Sequence, residues 1–167
     1  DALLAVDLQS RLIQDQVVGN AVRVLQNTTS TNDEASRAAL EGHPEGLVIF
    51  AESQSAGRGR MGRRWSSPTG RGLWFSVLLR PSLVPGECTQ LTAASANALV
   101  RAIQSTTGIT PEIKWPNDLL IKGKKIAGIL TEMSAELEHV RSVVLGIGID
   151  VNQTTSEFPA DVRGIAT

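Results

Sequence analysis

Several kinds of protein are excluded by what this sequence has little of. One cysteine, Cys88, in 167 residues rules out an intramolecular disulfide framework and fits a reducing, cytoplasmic compartment. With only His43 and His139 beside it, no Cys/His metal cage can be assembled. No apolar run approaches the roughly 18 residues of a spanning helix, and the start, DALLAVDLQS, lacks the basic region and long apolar core of a signal peptide. Neither G-x-x-x-x-G-K-[ST] nor a strand-linked G-x-G-x-x-G occurs, and the pair Gly146/Gly148 is too short a pattern for a nucleotide fingerprint. An excess of charge of one sign is missing as well: the formal net charge is −1, which places nucleic acid behind a small anionic ligand as the expected partner.

What remains is 41% hydrophobic and 20% charged, the composition of one ordinary globular domain with a proper core over residues 1–167. Leu3, Leu4, Leu8, Leu12 and Ile13 recur at helical spacing and Gly19-Asn20 ends that helix. Ala21 to Gln26 alternates as a strand, and Thr31 with Glu34 has the capping-box spacing for a helix running to about Leu40. LVIFA at 47 to 51 and LWFSVLL at 73 to 79 read as strands, Glu87 to Thr107 as a long helix stopped at Gly108, Ile113 to Glu132 as a β-meander turning at Lys122-Gly123-Lys124, and Val140 to Ile149 as the last strand.

Chemistry concentrates between the second and third strands. AESQSAGRGRMGRRW, residues 51 to 65, sets glycines 57, 59 and 62 among arginines 58, 60, 63 and 64, with Arg71 shortly after. Glycine lets backbone N–H groups come close to a ligand, and each guanidinium presents a planar fork matched to carboxylate or phosphate. A solvated basic loop or a nucleic-acid clamp is the plainer reading, but with no second basic run a small anion fits better. Like-charge repulsion predicts that such a loop is poorly ordered without its ligand. Lys114 and Lys125, each beside apolar strand residues, are point charges suited to phosphate or carboxylate, and Gly128 leaves room for a ligand or a neighbouring backbone; Lys122 and Lys124 read as edge-strand solubility devices. Ser30, Thr31 and Asn32, three small polar residues after a strand, serve a helix cap or a ligand at the helix N-terminus.

Five blocks in one order carry a resemblance: Ser30-Thr31-Asn32, then Gln54 with GRGRMGRRW, then KWPND at 114 to 118, KIAGIL at 125 to 130 and GIGIDVN at 146 to 152. Together they resemble the catalytic domain of the biotin protein ligases over nearly the whole chain. The resemblance implies an α+β fold, a mixed and largely antiparallel sheet with flanking helices, related to class II aminoacyl-tRNA synthetases. It implies a two-step reaction in which biotin and ATP, with Mg²⁺, give biotinyl-AMP and pyrophosphate, and a lysine of a biotin carboxyl carrier protein of acetyl-CoA carboxylase or a related carboxylase then takes the biotinyl group. Carried over residue by residue, Ser30, Thr31, Asn32 and Gln54 would hold the ureido and ring end of biotin. Arg58, Gly59 and Arg60 would close over carboxylate and phosphate, and Gly128 and Leu130 would line the apolar tail. Lys125 is the first catalytic candidate and Arg60 the second. Arg60, Trp65, Lys114, Asn117, Asp150 and Asn152 fall on the ATP side, with Trp65 either covering adenine or packing the loop base.

Two departures stand out. Family members usually carry Asn where this chain has Asp150, so Asp150 is expected to meet Mg²⁺. The small β-barrel that usually follows and the N-terminal helix-turn-helix are not in this sequence, from which no DNA binding by this chain is expected. A lipoate-type ligase, or a biotin-binding module with incomplete catalysis, are the alternatives. No membrane association is expected, and an exposed sheet edge leaves a homodimer open.

Overall fold

Seven strands build one sheet in the computed structural model, which describes Leu8 and residues 16–166. The helix expected over Leu3 to Ile13 lies outside the described residues, Leu8 excepted. The strands are β1 (Ala21–Thr28), β2 (Leu47–Gln54), β3 (Gly72–Leu79), β4 (Glu112–Lys114), β5 (Asp118–Ile121), β6 (Lys124–Glu136) and β7 (His139–Asp150), in the order β1-β2-β3-β7-β6-β5-β4. Only β1 and β2 run parallel, joined by helix α1 (Thr31–Leu40); every other neighbour is antiparallel. This is the mixed α+β sheet expected, with the parallel pair explained by the crossover helix that parallel strands require.

Among the described residues, two long helices take opposite faces, and strand alternation decides which residues each face receives. Helix α1 packs Ala35 and Ala38 on Leu47, Ile49, Leu78 and Val144. Helix α2 (Thr89–Thr107) sets Ala96 and Leu99 on Leu119, Ala127, Ile129 and Ile147, and a third cluster continues that face with Val77, Val143, Leu145 and the buried thiol of Cys88. Gly108 closes α2 at φ 75°, the left-handed cap that glycine adopts without penalty.

Two local expectations are corrected. The cap of α1 is Ser30, whose extended backbone (φ −158°, ψ 138°) lets its hydroxyl accept from Asn32 N–H; Thr31 is already the first helical residue, which frees its hydroxyl to face inward. Strand β4 is exposed at all three residues, so Lys114 stands on a sheet edge in solvent rather than beside a buried apolar strand.

Candidate functional site

Register places a row of small and polar residues on the α1 face. Trp74 lies opposite Gly148 and Ser76 opposite Gly146 across β3 and β7; Gly128 lies opposite Gly148 and Leu130 opposite Gly146 across β6 and β7. The glycines are there because something lies on them. A Cβ on Gly146 would come 2.1 Å from Asn32 Oδ1, and one on Gly148 would come 2.5 Å from the Trp65 indole. Gly128 is the same case, with Trp65 at 2.9 Å and Lys125 Nζ at 3.2 Å from its missing Cβ. The room expected there for a ligand is taken by Trp65, which also meets Trp74 edge-on at 6.4 Å between ring centres. Trp65 therefore packs the base of the arginine loop, and its Nε1–H is buried in the cleft wall with no partner in the protein.

Above this row lies a cleft of about 460 Å³ including its mouth, bounded by Ser30, Thr31, Asn32, Gln54, Arg58, Gly59, Arg60, Trp65, Asn117, Lys125, Gly128 and Leu130, with Ile129 and the backbone of Gly146 to Gly148 below. Of the expected site residues, Lys114, Asp150 and Asn152 do not line it. Asn152 is exposed and turned back on the chain, its N–H donating to Arg71 O at 2.9 Å.

One end of the cleft is neutral. Gln54 Oε1 accepts from Thr31 N–H at 2.8 Å, and Gln54 Nε2 donates to Ser67 Oγ at 2.8 Å. The fully buried Ser76 hydroxyl lies 2.6 Å from Asn32 Oδ1 and 2.7 Å from Thr31 Oγ1; it has one proton and serves one of them at a time. Asn32 Nδ2 donates to Glu132 Oε2 at 2.6 Å. The protein thus holds the Asn32 amide from both ends, and the residue also lines the cleft. Ser76 escaped the sequence reading because it is a lone polar residue in an apolar strand, and Glu132 because the block it closes was read for its lysines and glycine.

The other end is cationic. Lys125 Nζ pairs with Asp118 Oδ1 at 2.7 Å and lies 5.1 Å from the Trp65 ring centre. Its presence on this face is a matter of register. Ile126 and Ala127 both join the core under α2, because the pairing of β5 with β6 slips between Leu119 and Leu120. This bulge adds one residue to β6 and turns Lys125 from the α2 face to the cleft. Arg60 Nη1 donates to Asn117 Oδ1 at 3.0 Å, a neutral partner that leaves its charge available. Arg58 differs: Nη1 is 2.7 Å from Asp33 Oδ1 and Nη2 is 3.3 Å from Glu132.

The arginine loop itself is a small hairpin rather than the loose segment expected from its charge. Arg58 bridges Arg64, Gly59 N–H donates to Arg63 O at 2.7 Å and Trp65 N–H to Gly57 O at 2.8 Å. Met61 (φ 58°) and Gly62 (φ 74°) make its tip. Repulsion is offset because Arg58 and Arg71 have carboxylate partners, Arg71 pairing with Glu157 at 2.7 Å. Beyond Gly148, Asp150 is half-buried; burial pushes its carboxyl up to about 7, with Lys125 drawing it partly back.

Comparisons with known proteins bear on this arrangement. Residues 22–150 match the Biotin/lipoate A/B protein ligase family. The chain is 46% identical over 155 residues to the bifunctional ligase/repressor BirA of Bacillus subtilis, covering 93% of this chain and 48% of that one. It is 34% identical to the biotin–[acetyl-CoA-carboxylase] ligase of Mycobacterium tuberculosis, covering 95% of this chain and 61% of that one. Among solved structures, the biotin protein ligase from Aquifex aeolicus in complex with biotin and ATP superposes with a TM-score of 0.70 at 33% identity, over 89% of this chain and 59% of that one. The biotin protein ligase from Leishmania major in complex with biotinyl-5-AMP gives 0.67 at 26% identity, over 89% and 62%. The chain thus spans about half to three fifths of the length of these relatives.

Proposed function

Because the chain belongs to the biotin/lipoate A/B protein ligase family, we propose that it activates biotin with ATP and passes the biotinyl group to a lysine of a carboxylase's carrier protein. The observation that carries this reading is a single cleft running from neutral amide and hydroxyl groups at Thr31 and Gln54 to two cations, Arg60 and Lys125. That polarity matches a molecule with a neutral cyclic urea at one end and a carboxylate at the other. Between them Leu130 and the Gly128 backbone offer an apolar wall, where burying each CH₂ of a valeryl chain contributes about 0.8 kcal/mol.

In the first step a carboxylate oxygen of biotin attacks the α-phosphorus of ATP and pyrophosphate leaves; no side-chain nucleophile takes part. The barrier lies in bringing one anion to another, so fixed cations at the developing charge and exact placement do most of the catalysis. Lys125 holds the carboxylate and bridges to the α-phosphate, and Arg60 faces the phosphate oxygens with Asn117 beside it. Asp118 keeps Lys125 extended into the cleft until the substrate anion competes for it. In the second step the carrier's lysine amine attacks the anhydride carbonyl, giving an amide, AMP and a proton. The unpaired Trp65 Nε1–H, which lines the cleft, is a donor for the ligand.

Among the described residues no group of three or more His, Cys, Asp or Glu could hold a metal ion. Asp150 would be the carboxylate to meet Mg²⁺ arriving with ATP, an ion that would neutralise phosphate charge as pyrophosphate leaves. Lys114, on the neighbouring edge, and Asn152 are assigned to the nucleotide's outer reach. A free, buried Cys88 suits a cytoplasmic setting, no described helix is long and apolar enough to cross a membrane, and a second copy would pair at a sheet edge.

The test is ATP–pyrophosphate exchange by this chain with biotin or lipoate as the added acid. Exchange with biotin alone supports the reading; exchange with lipoate alone replaces the substrate. Biotin binding without exchange makes this chain a binding module whose catalysis needs parts outside it.

A further inference from the structure

We infer that Asp33 and Glu132 form a two-carboxylate seat for the Arg58 guanidinium, and that this seat straps the arginine hairpin shut over the neutral end of the cleft. The inference rests on the biotin reading for its ligand and on geometry alone for the strap.

Arg58 opens the hairpin, and its two terminal nitrogens go to different elements. Nη1 reaches Asp33 in the first turn of α1, and Nη2 reaches both oxygens of Glu132 on β6. One side chain thereby ties the loop to both banks of the cleft. Glu132 is already held in place by the Asn32 amide, so the seat exists before the arginine arrives. The rest of the hairpin is attached lightly on its leading side: Arg64 reaches only the nearby Ser55 carbonyl at 3.4 Å, and Arg60 a neutral amide. Arg58 is thus set apart from Arg60. Its charge closes the loop, whereas that of Arg60 is left for an anion. The Asp33 and Glu132 side chains are 36% and 37% exposed, so each contact is screened by water and the strap opens readily. A fold-change of several rather than of hundreds follows. Asp33 and Glu132 are positioning residues: they act on the ligand through Arg58.

The arginines give the loop its own reporter, since trypsin cleaves after Arg60, Arg63 and Arg64 only when the hairpin opens. Without any ligand, the variants Glu132→Gln, Asp33→Asn and Arg58→Gln should each be cut there about fivefold faster than the parent, relative to cleavage at Arg101 in α2. Combining Glu132→Gln with Arg58→Gln should add nothing to Arg58→Gln alone. Asp33→Asn leaves the Asn32–Glu132 bond intact, so it reports the strap even if Glu132→Gln folds poorly. Loop cleavage that stays at the parental rate in Asp33→Asn, or that rises only in step with cleavage at Arg101, overturns the strap. In the second arm, biotin dissociation should quicken by the same factor and association with it, because the ligand enters and leaves through the opened hairpin. Unchanged dissociation in a chain whose loop is cut faster overturns the role over the ligand. A parent chain that binds no biotin defeats the functional reading, while the digestion still decides the strap.

Discussion

Asp150→Asn probes the least favourable charge near the site. Burial pushes the carboxyl up to about 7 in the folded chain, against the pull of Lys125. An unfolded aspartate titrates near about 3.9. The folded value is the raised one, so the fold takes up a proton between about pH 4 and about pH 7, and stability falls as pH climbs through that window. Asparagine has nothing to titrate. A shift of roughly three pH units at about 1.4 kcal/mol each totals about 4 kcal/mol, of which about 2–3 kcal/mol falls between about pH 5 and about pH 8. The variant's advantage in unfolding free energy should therefore widen by about 2–3 kcal/mol over that range, or roughly 5–10 °C in Tm for a chain of this size. Parallel urea titrations of parent and variant, followed by tryptophan fluorescence at several pH values, measure it directly. A difference that stays flat refutes the buried-carboxylate argument. One that grows in the opposite direction would mean that Asp150 is held ionised by Lys125.

Other outcomes are expected from the same geometry. Lys125→Ala and Arg60→Ala should each lower biotin-dependent pyrophosphate exchange by about 100-fold or more with the chain still folded by circular dichroism; near-parental rates in both would remove them from the catalytic role. Gly148→Ala puts a methyl into the Trp65 indole and should cost about 1–3 kcal/mol of stability while shifting Trp65 fluorescence and weakening biotin, measured by urea titration and ligand titration; an unshifted spectrum would contradict the packing. Ser76→Ala leaves Asn32 Oδ1 buried without its donor and should cost about 1–3 kcal/mol, read from chemical unfolding, with a loss well below that range counting against the network. If Asp150 meets Mg²⁺ carried by ATP, Asp150→Asn should raise the Mg²⁺ concentration needed for half-maximal exchange; a fall would reverse that assignment.

Much of this was legible in the chain. Residues 47 to 51 and 73 to 79 are apolar runs of strand length, and both sit in the sheet; the positive φ values at Lys122 and Gly123 are the tight turn that Lys-Gly between two strands announces. Of the site residues taken from the five blocks, all but Lys114, Asp150 and Asn152 line one cleft. What could not be read is what depends on partners far away in sequence. The glycines at 146 and 148 look like a nucleotide motif cut short until Asn32 and Trp65 are laid on them. Arg58 and Arg60 are indistinguishable as letters, and only Asp33 and Glu132 separate their roles. Lys114 followed the same logic as Lys125, yet its strand is at the sheet's rim and the alternation that suggested a buried neighbour had nothing to bury.

The extra residue at Ile126 makes β6 a strand written in two phases. From Gly128 onward, even-numbered positions carry the cleft and odd-numbered positions carry the core; before the slip an odd-numbered lysine belongs to the cleft. Losing Ile126 would close the ladder into one phase with Lys125 still opposite Leu120 and still facing the cleft, and would take one apolar side chain from the core beneath α2. What the extra residue adds is therefore packing, a second consecutive side chain on the core under α2, and the apolar character of Ile126 matters more than the length of the stretch.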